Sequence, residues 1–381
     1  MHRANPEKKL SSMHRTVHID LHGVVGIRLV NPTDRDLAGL TKQIAFSQAT
    51  LGREPDITIR FERQLLPSAL NYLGVNSAAF TEQDFFILDR RSGQLAAQIP
   101  FDEIGQPCEI VCQSDLGFVP LLTDIVRLAF LRKGYVSLHG AAFLYNGKGI
   151  LVAGWSKGGK TETLMSFANH GAHYLADEWV LLPGDGRKML GLPIPITLWD
   201  WQLEQVTPSS LPSMSREKKI IFKGIHALQA LQRMFDRIRL DSLFPVRALD
   251  RLLPVLSPAL NVRESPHTLF KDRCYQQGTT IDRLFLVISH SEPQVVVDPC
   301  DSTEIAQRMA HSNEFEEEPI NRHYRAYRFA FPHRRNLWLE RAPEFRSSLL
   351  FRALEGKEAY QVFHPYPVSF EELFSHLQPL C

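Results

Sequence analysis

The chain has 381 residues, 43 Lys plus Arg, 42 Asp plus Glu and a formal net charge of +1. So even a balance supplies no bulk field for nucleic acid or an anionic membrane, and 44% hydrophobic with 22% charged residues excludes wholesale disorder. The length suits two domains, each able to bury a core without disulfide staples.

The opening MHRANPEKKLSSMHR reads as a loose charged tail without the apolar h-region of a secretory signal. No apolar run reaches the roughly 18 residues of a membrane span. The five cysteines, Cys108, Cys112, Cys274, Cys300 and Cys381, form no dense framework, which predicts reduced thiols in a cytoplasmic protein. Cys108 with Cys112, and His18 with His22 on one strand face, each resemble half of a metal site, and neither has a second close pair to complete it.

From there to about residue 117 the signals are those of a small α+β module. HGVVGIRLV and DITIRFE read as strands, DLAGLTKQIAFSQATL between them as an amphipathic helix, and FFILDRR with LAAQIPF as a hairpin. No chemical motif falls in this module, residues 1–117. A helix over 118–133, FVPLLTDIVRLAFLRK, opens a larger α/β domain, residues 118–381, with Pro120 in its first turn and Gly134 at its end. YVSLHGAAFLY and KGILVAG flank Asn146-Gly147, the strongest short hairpin signal. KTETLMSFANH reads as a helix ending at Gly171, and HYLADEWVLL as one strand.

The stretch from Arg216 to Arg251 is basic, with Lys218, Lys219, Lys223, Arg233, Arg237, Arg239 and Arg247 against Glu217, Asp236, Asp241 and Asp250. It reads as a solvated helix face, with a docking surface for an acidic partner as the alternative. DRLFLVIS is a buried strand, DSTEIAQRMAHS a capped helix and EFEEEP a solvated acidic loop. YQVFH is a strand, and Ser369 with Glu372 caps a last helix.

One motif carries chemistry. GWSKGGKT, Gly154 to Thr161, fits G-x-x-x-x-G-K-[ST] and lies between a predicted strand and a predicted helix, as a phosphate loop must. Gly154, Gly158 and Gly159 let backbone N–H groups turn inward on phosphate oxygens, with Ser156 and Lys157 in the same loop. The helix N-terminus adds partial positive charge. Lys160 brings a full charge to the β and γ phosphates of ATP, and Thr161 offers a hydroxyl to Mg²⁺. Lys157 either adds charge or faces solvent.

Geometry then selects two partners. The helix from Lys160 to His170 rises roughly 15 Å away from the loop. A strand returning from Ala172 at about 3.3 Å per residue brings Asp177 back level with it, provided that strand lies beside the loop's own. A carboxylate there can take a proton from an attacking hydroxyl or hold Mg²⁺. Glu178 points to the opposite face. With Asn146-Gly147 as a two-residue turn, His139 faces Gly154, where it contacts the γ phosphate, tunes Asp177, or makes a structural hydrogen bond.

The stretch SLHGAAFLYNGKGILVAGWSKGGKTETLMSFANHGAHYLADEW resembles the core of HPr kinase/phosphorylase and its relatives, over residues about 135 to 182. The shared features are the His139-Gly140 pair before the loop, the Gly159-Lys160-Thr161-Glu162 ending, and Ala176-Asp177 after the helix, with Glu178 where the family has a second aspartate. The resemblance implies a phosphoenolpyruvate-carboxykinase-like P-loop fold and ATP-dependent, Mg²⁺-dependent phosphorylation of a serine on a peptide or protein. It implies that Lys160 binds phosphate, that Thr161 and Glu162 serve the metal, that Asp177 is the base and that His139 sits beside the phosphates. By analogy it implies a homo-oligomer. The family's Arg-Gly-Leu-Gly segment has only NVRESPHTLF, with Arg263, as a loose counterpart. Two other readings fit the same motif: a small-molecule kinase, and a nucleotide-binding regulatory protein without transfer activity.

Overall fold

A computed structural model describes residues 15–207, 215–237, 251, 253, 256, 259–275 and 277–381. Most of the expected tail lies outside these residues, as do Arg239, Arg247, Asp241 and Asp250 of the basic stretch. Among the described residues no helix is long and apolar enough to cross a membrane. The architecture is α/β, built on mixed sheets.

Strands β1 (Thr16–Leu21), β2 (Val25–Val30), β3 (Ile57–Glu62), β4 (Asn71–Leu73), β5 (Ala78–Phe80), β6 (Phe85–Leu88), β7 (Leu95–Gln98) and β8 (Cys108–Gln113) form the first sheet, in the order β1-β2-β3-β8-β7-β6-β5-β4. The alternation of β3 explains its place: Ile57, Ile59 and Phe61 are all buried on one face. Helix α1 (Asp34–Thr41) is shorter than the sequence predicts. Its start is fixed by a capping box between Thr33 and Asp36. The expected second half leaves the helix because its N–H groups go elsewhere, Ala45 to the Pro193 carbonyl (2.6 Å) and Ala49 to that of His18 (3.0 Å).

Helix α2 (Leu122–Arg132) follows. Leu121, at φ 57°, precedes it, so Pro120 lies outside the first turn. Next come β9 (Tyr135–Tyr145), β10 (Lys148–Gly154), α3 (Lys160–Asn169), β11 (His173–Ala176), β12 (Trp179–Pro183), β13 (Leu190–Gly191), β14 (Ile196–Trp199), α4 (Asp200–Leu203) and α5 (Arg216–Arg237). The chain continues with β15 (Asn261–Glu264), α6 (Pro266–Phe270), β16 (Arg283–Ser289), β17 (Val296–Cys300), α7 (Ser302–Glu316), α8 (Glu318–Ala330), α9 (Leu337–Leu354), β18 (Ala359–His364) and α10 (Phe370–Leu377). The second sheet runs β13-β12-β9-β10-β16-β18-β17, and β11 also pairs with β9.

Strands β10, β16 and β18 are parallel, so Gly154, Ser289 and His364 end at one edge of the sheet. Ligands of open α/β sheets bind in the crevice beyond such carboxyl ends. The central strands are apolar throughout because both faces are covered. Phe143, Ile150, Val152, Phe285 and Val287 pack with residues of α3 and α10 on one face. Ala142, Leu151, Ala153, Leu284 and Leu286 pack with α2, α7 and α9 on the other.

The expected boundary at residues 117–118 falls between β8 and α2, yet one buried cluster runs across it. Tyr327 of α8 reaches the first sheet, with ring centroids 5.8 Å from Phe85 and 5.4 Å from Phe101. Asn336 donates to the carbonyls of Phe101 and Ile104, both at 2.8 Å. Gly39 lies against Gly117, where a Cβ would meet the Gly117 carbonyl at 2.3 Å.

Candidate functional site

The hairpin has the predicted register. Tyr145 pairs with Lys148 and Gly140 with Ala153. Asn146 (φ 51°) and Gly147 (φ 79°) both take the left-handed conformation that a two-residue hairpin turn needs. This sets Gly154 at the end of β10, with the loop above it and α3 beginning at Lys160.

Gly159 caps α3 at φ 107°, and a Cβ there would strike His364 Nε2 at 2.2 Å. Only glycine fits this close approach. His364, fully buried at the end of β18, lies 2.9 Å from the Gly158 carbonyl and pins the loop from below. Ser156 is half-buried and Lys157, at φ 60°, is exposed. Lys160 is buried and donates to the carbonyls of Gly154 (3.2 Å) and Trp155 (2.6 Å). Burial lowers its pKa, against the pull of Asp177, Glu178, Glu316 and Glu162 around it.

Asp177 reaches the loop by a route the sequence does not suggest. The strand expected over HYLADEWVLL is two strands, β11 and β12, and both pair with β9 rather than with β10. The break falls at Asp177 and Glu178, where Glu178 takes φ 77°. Thr161 Oγ1 donates to the Asp177 carboxylate, 3.1 and 3.2 Å from its two oxygens. Asp177 is 2% exposed. Burial and then neighbouring Glu178 raise its pKa to about 7, although Thr161, Lys160 and His139 act to lower it. Tyr174 supplies the phenol oxygen that accepts the Asp177 N–H at 3.0 Å.

The left-handed residue ends the strand alternation, so Glu178 does not turn away as expected. Its Oε2 lies 3.1 Å from His139 Nε2. His139 Nδ1 lies 2.9 Å from Glu316 Oε1, close enough for an ionic contact but off the angle of a hydrogen bond. Burial works to lower the His139 pKa, but Glu178 and Glu316 outweigh it and the net shift is upward. The hydrogen bond from His139 lowers the pKa of Glu178. The imidazole packs at a tilt of 33° against Trp179 (5.2 Å), whose indole carries the Arg127 guanidinium 3.3 Å from the ring centroid.

Glu162, buried on α3, accepts from Gln202 Nε2 at 2.8 Å, and burial raises its pKa. It adjoins Lys160 rather than hydrogen-bonding Thr161 or Asp177. Among the described residues no group of three or more His, Cys, Asp or Glu side chains is arranged to hold a metal ion. Of the residues expected to serve a metal, the Thr161 hydroxyl and the Asp177 carboxylate are in contact with each other, and the Glu162 carboxylate is held by Gln202. Arg263 lies exposed on β15, paired with Thr197 of β14.

The acidic run EFEEEP is not the solvated loop that its charge suggests. It is helical, covering the end of α7 and the start of α8. Glu317 is buried between Arg127 (3.3 Å) and Arg346 (2.5 Å), and Glu316 faces His139. The available signal was the helical spacing of Ile305, Met309, Ser312, Asn313, Glu317 and Ile320, all buried.

Trp155, inside the loop, escaped sequence reasoning as well. It is 51% exposed and packs on Phe315 with centroids 5.0 Å apart. The residues thus assemble a glycine loop, a lysine, a hydroxyl and a carboxylate poised near neutrality, set at the carboxyl edge of a sheet. No protein-family model matches the chain, and no curated protein matches it.

Proposed function

We propose that the chain is a cytoplasmic, Mg²⁺-dependent kinase of the HPr-kinase-like class, with a phosphoenolpyruvate-carboxykinase-like P-loop core. It transfers the γ phosphate of ATP to a hydroxyl, a serine of a peptide or protein. The observation that carries this reading is the contact between Thr161 and Asp177, which sets a buried carboxylate beside the first turn of the helix that follows the glycine loop. A carboxylate placed there is within reach of a hydroxyl lined up on the γ phosphate, as a general base must be. The five free cysteines fit a reducing compartment.

In the reaction the loop N–H groups and the amino end of α3 hold the β and γ phosphates. Lys160 moves its ammonium from the carbonyls of Gly154 and Trp155 to the phosphate oxygens, a shift between neighbouring acceptors. Asp177 takes the proton of the acceptor hydroxyl, the acceptor oxygen bonds to the γ phosphorus, and the bond from that phosphorus to the β–γ bridging oxygen breaks, releasing ADP. The Thr161 hydroxyl and Asp177 would hold Mg²⁺, which offsets charge on the phosphate oxygens. His139 works through Glu178: it fixes the carboxylate next to Asp177 and so sets the field in which Asp177 titrates.

The test is incubation with γ-labelled ATP and whole-cell extract, wild type beside Asp177→Asn and Lys160→Ala. Label should enter a hydroxyl-phosphorylated species with wild type only. Lys160→Ala should also bind ATP more weakly. Equal labelling by Asp177→Asn would discard the base.

A further inference from the structure

We propose that the cavity beside the phosphate loop seats the nucleotide's base, a purine stacked on Trp155 and hydrogen-bonded to Ser312. This rests on the nucleotide-binding reading above. The cavity, about 520 Å³, lies between loop residues Trp155 to Gly158, the end of β16 and one side of α7. That volume is in the range of small-ligand sites, roughly 300–1,000 Å³.

Three observations select a base as its occupant. The first is position. Asp177 and His139 stand on the β9 side of β10, and the cavity opens on the β16 side. A triphosphate laid along the loop with its last phosphate at Asp177 directs its other end towards the cavity. The second is surface. Val287, Ile288 and Met309 give an apolar wall, and the half-exposed Trp155 indole offers a flat face at the mouth. Heteroaromatic rings stack on such a face whatever their sequence of ring nitrogens. The third is an unmet hydrogen bond. Ser312 lines the cavity, is 2% exposed, and its Oγ has no hydrogen-bond partner among the described residues. Buried hydroxyls are almost always paired, and a purine ring nitrogen or exocyclic amine supplies the missing partner. A peptide acceptor is the rival occupant, but its serine must reach Asp177 on the other side of the loop.

Calorimetric titration of the whole chain with Mg²⁺ and either ATP, CTP or inorganic tripolyphosphate tests the assignment. Wild type should hold ATP roughly tenfold or more tighter than tripolyphosphate, with CTP between them. Trp155→Ala should weaken ATP several-fold more than it weakens tripolyphosphate, so that the gap between the two narrows, and Trp155→Phe should restore much of the gap. Ser312→Ala should lose several-fold in ATP affinity only. Equal binding of ATP and tripolyphosphate by wild type would overturn the base site and leave the phosphate loop standing. Trp155→Ala raising only the KM of the acceptor would overturn it in favour of the peptide. No binding of either phosphate compound would overturn the proposed function and this site together.

Discussion

The two large sheets solve the same packing problem with different interiors. In the first, β1 to β8 bury Ile, Val, Leu and Phe, and the buried polar groups are Asp36, spent on the α1 cap, and Thr58. In the second, His139, Lys160, Glu162, Asp177 and His364 are all buried at one edge. Burying a charge costs several kcal/mol unless it is paired, so the second sheet carries at several residues a cost that the first meets at Asp36 alone among the described residues. It does so in two ways. Around Arg127, Glu317 and Arg346 the charges complete one another. Around Lys160 and Asp177 they do not, and a carboxylate is left on the verge of protonation. The difference sets the first sheet apart from the proposed site.

The sharpest way to break this contrast is Asp177→Asn. Phosphoryl transfer should fall by about 10²–10⁴-fold with nucleotide binding kept, measured by single-turnover transfer and by titration. A variant as active as wild type would erase the distinction. Glu317→Ala leaves the buried Arg346 without its carboxylate and Arg127 with Asp124 alone, and should cost about 3–5 kcal/mol in urea unfolding. A stability loss well under 1 kcal/mol would mean that these charges are solvated after all.

The pH dependence of stability sharpens the contrast further. Asp177 is raised from 3.8 to about 7, so its protonated form is favoured by the fold. Its contribution is fully present below about pH 4 and is lost as pH rises towards 7. His139 is raised above 6.5, so its contribution is present below that value and is lost as pH climbs through the folded pKa. Asp177→Asn should flatten the lower window of a stability–pH curve and His139→Gln the upper one. Curves that keep both slopes would show that other groups titrate. The smallest effect belongs to the first sheet: Thr33→Ala removes the α1 cap, should cost about 1 kcal/mol, and should leave turnover unchanged. A turnover loss there would join the first sheet to the chemistry.

Local signals made much of this legible. The strand-to-helix loop, the hairpin register and the helix after Gly159 all rest on contacts between near neighbours in sequence, and each stands where the residues put it. Asp177 was found by a length argument that is right in distance and wrong in neighbour, since β11 joins β9. Nothing in HYLADEW announces a left-handed glutamate, because φ 77° at Glu178 is imposed by tertiary packing rather than by its own preference. Three glutamates in a row look solvated. Only the buried stripe of α7, continued through Asn313 to Glu317, tells that two of them turn inward. The end of the predicted α1 was lost for the same reason, its N–H groups being claimed by Pro193 and His18.

The reach of Tyr327 between Phe85 and Phe101, and of Phe331 to Phe80 at 5.9 Å, has a consequence for the nascent chain. The ribosome delivers the first sheet long before the aromatic side chains that close over it. At about 5–20 residues per second the interval from Phe101 to Phe331 is roughly ten to fifty seconds. Throughout it the aromatic contacts that Tyr327 and Phe331 make to that sheet are missing, so a chain cut before Tyr327 should be less stable and more prone to precipitate than the whole chain.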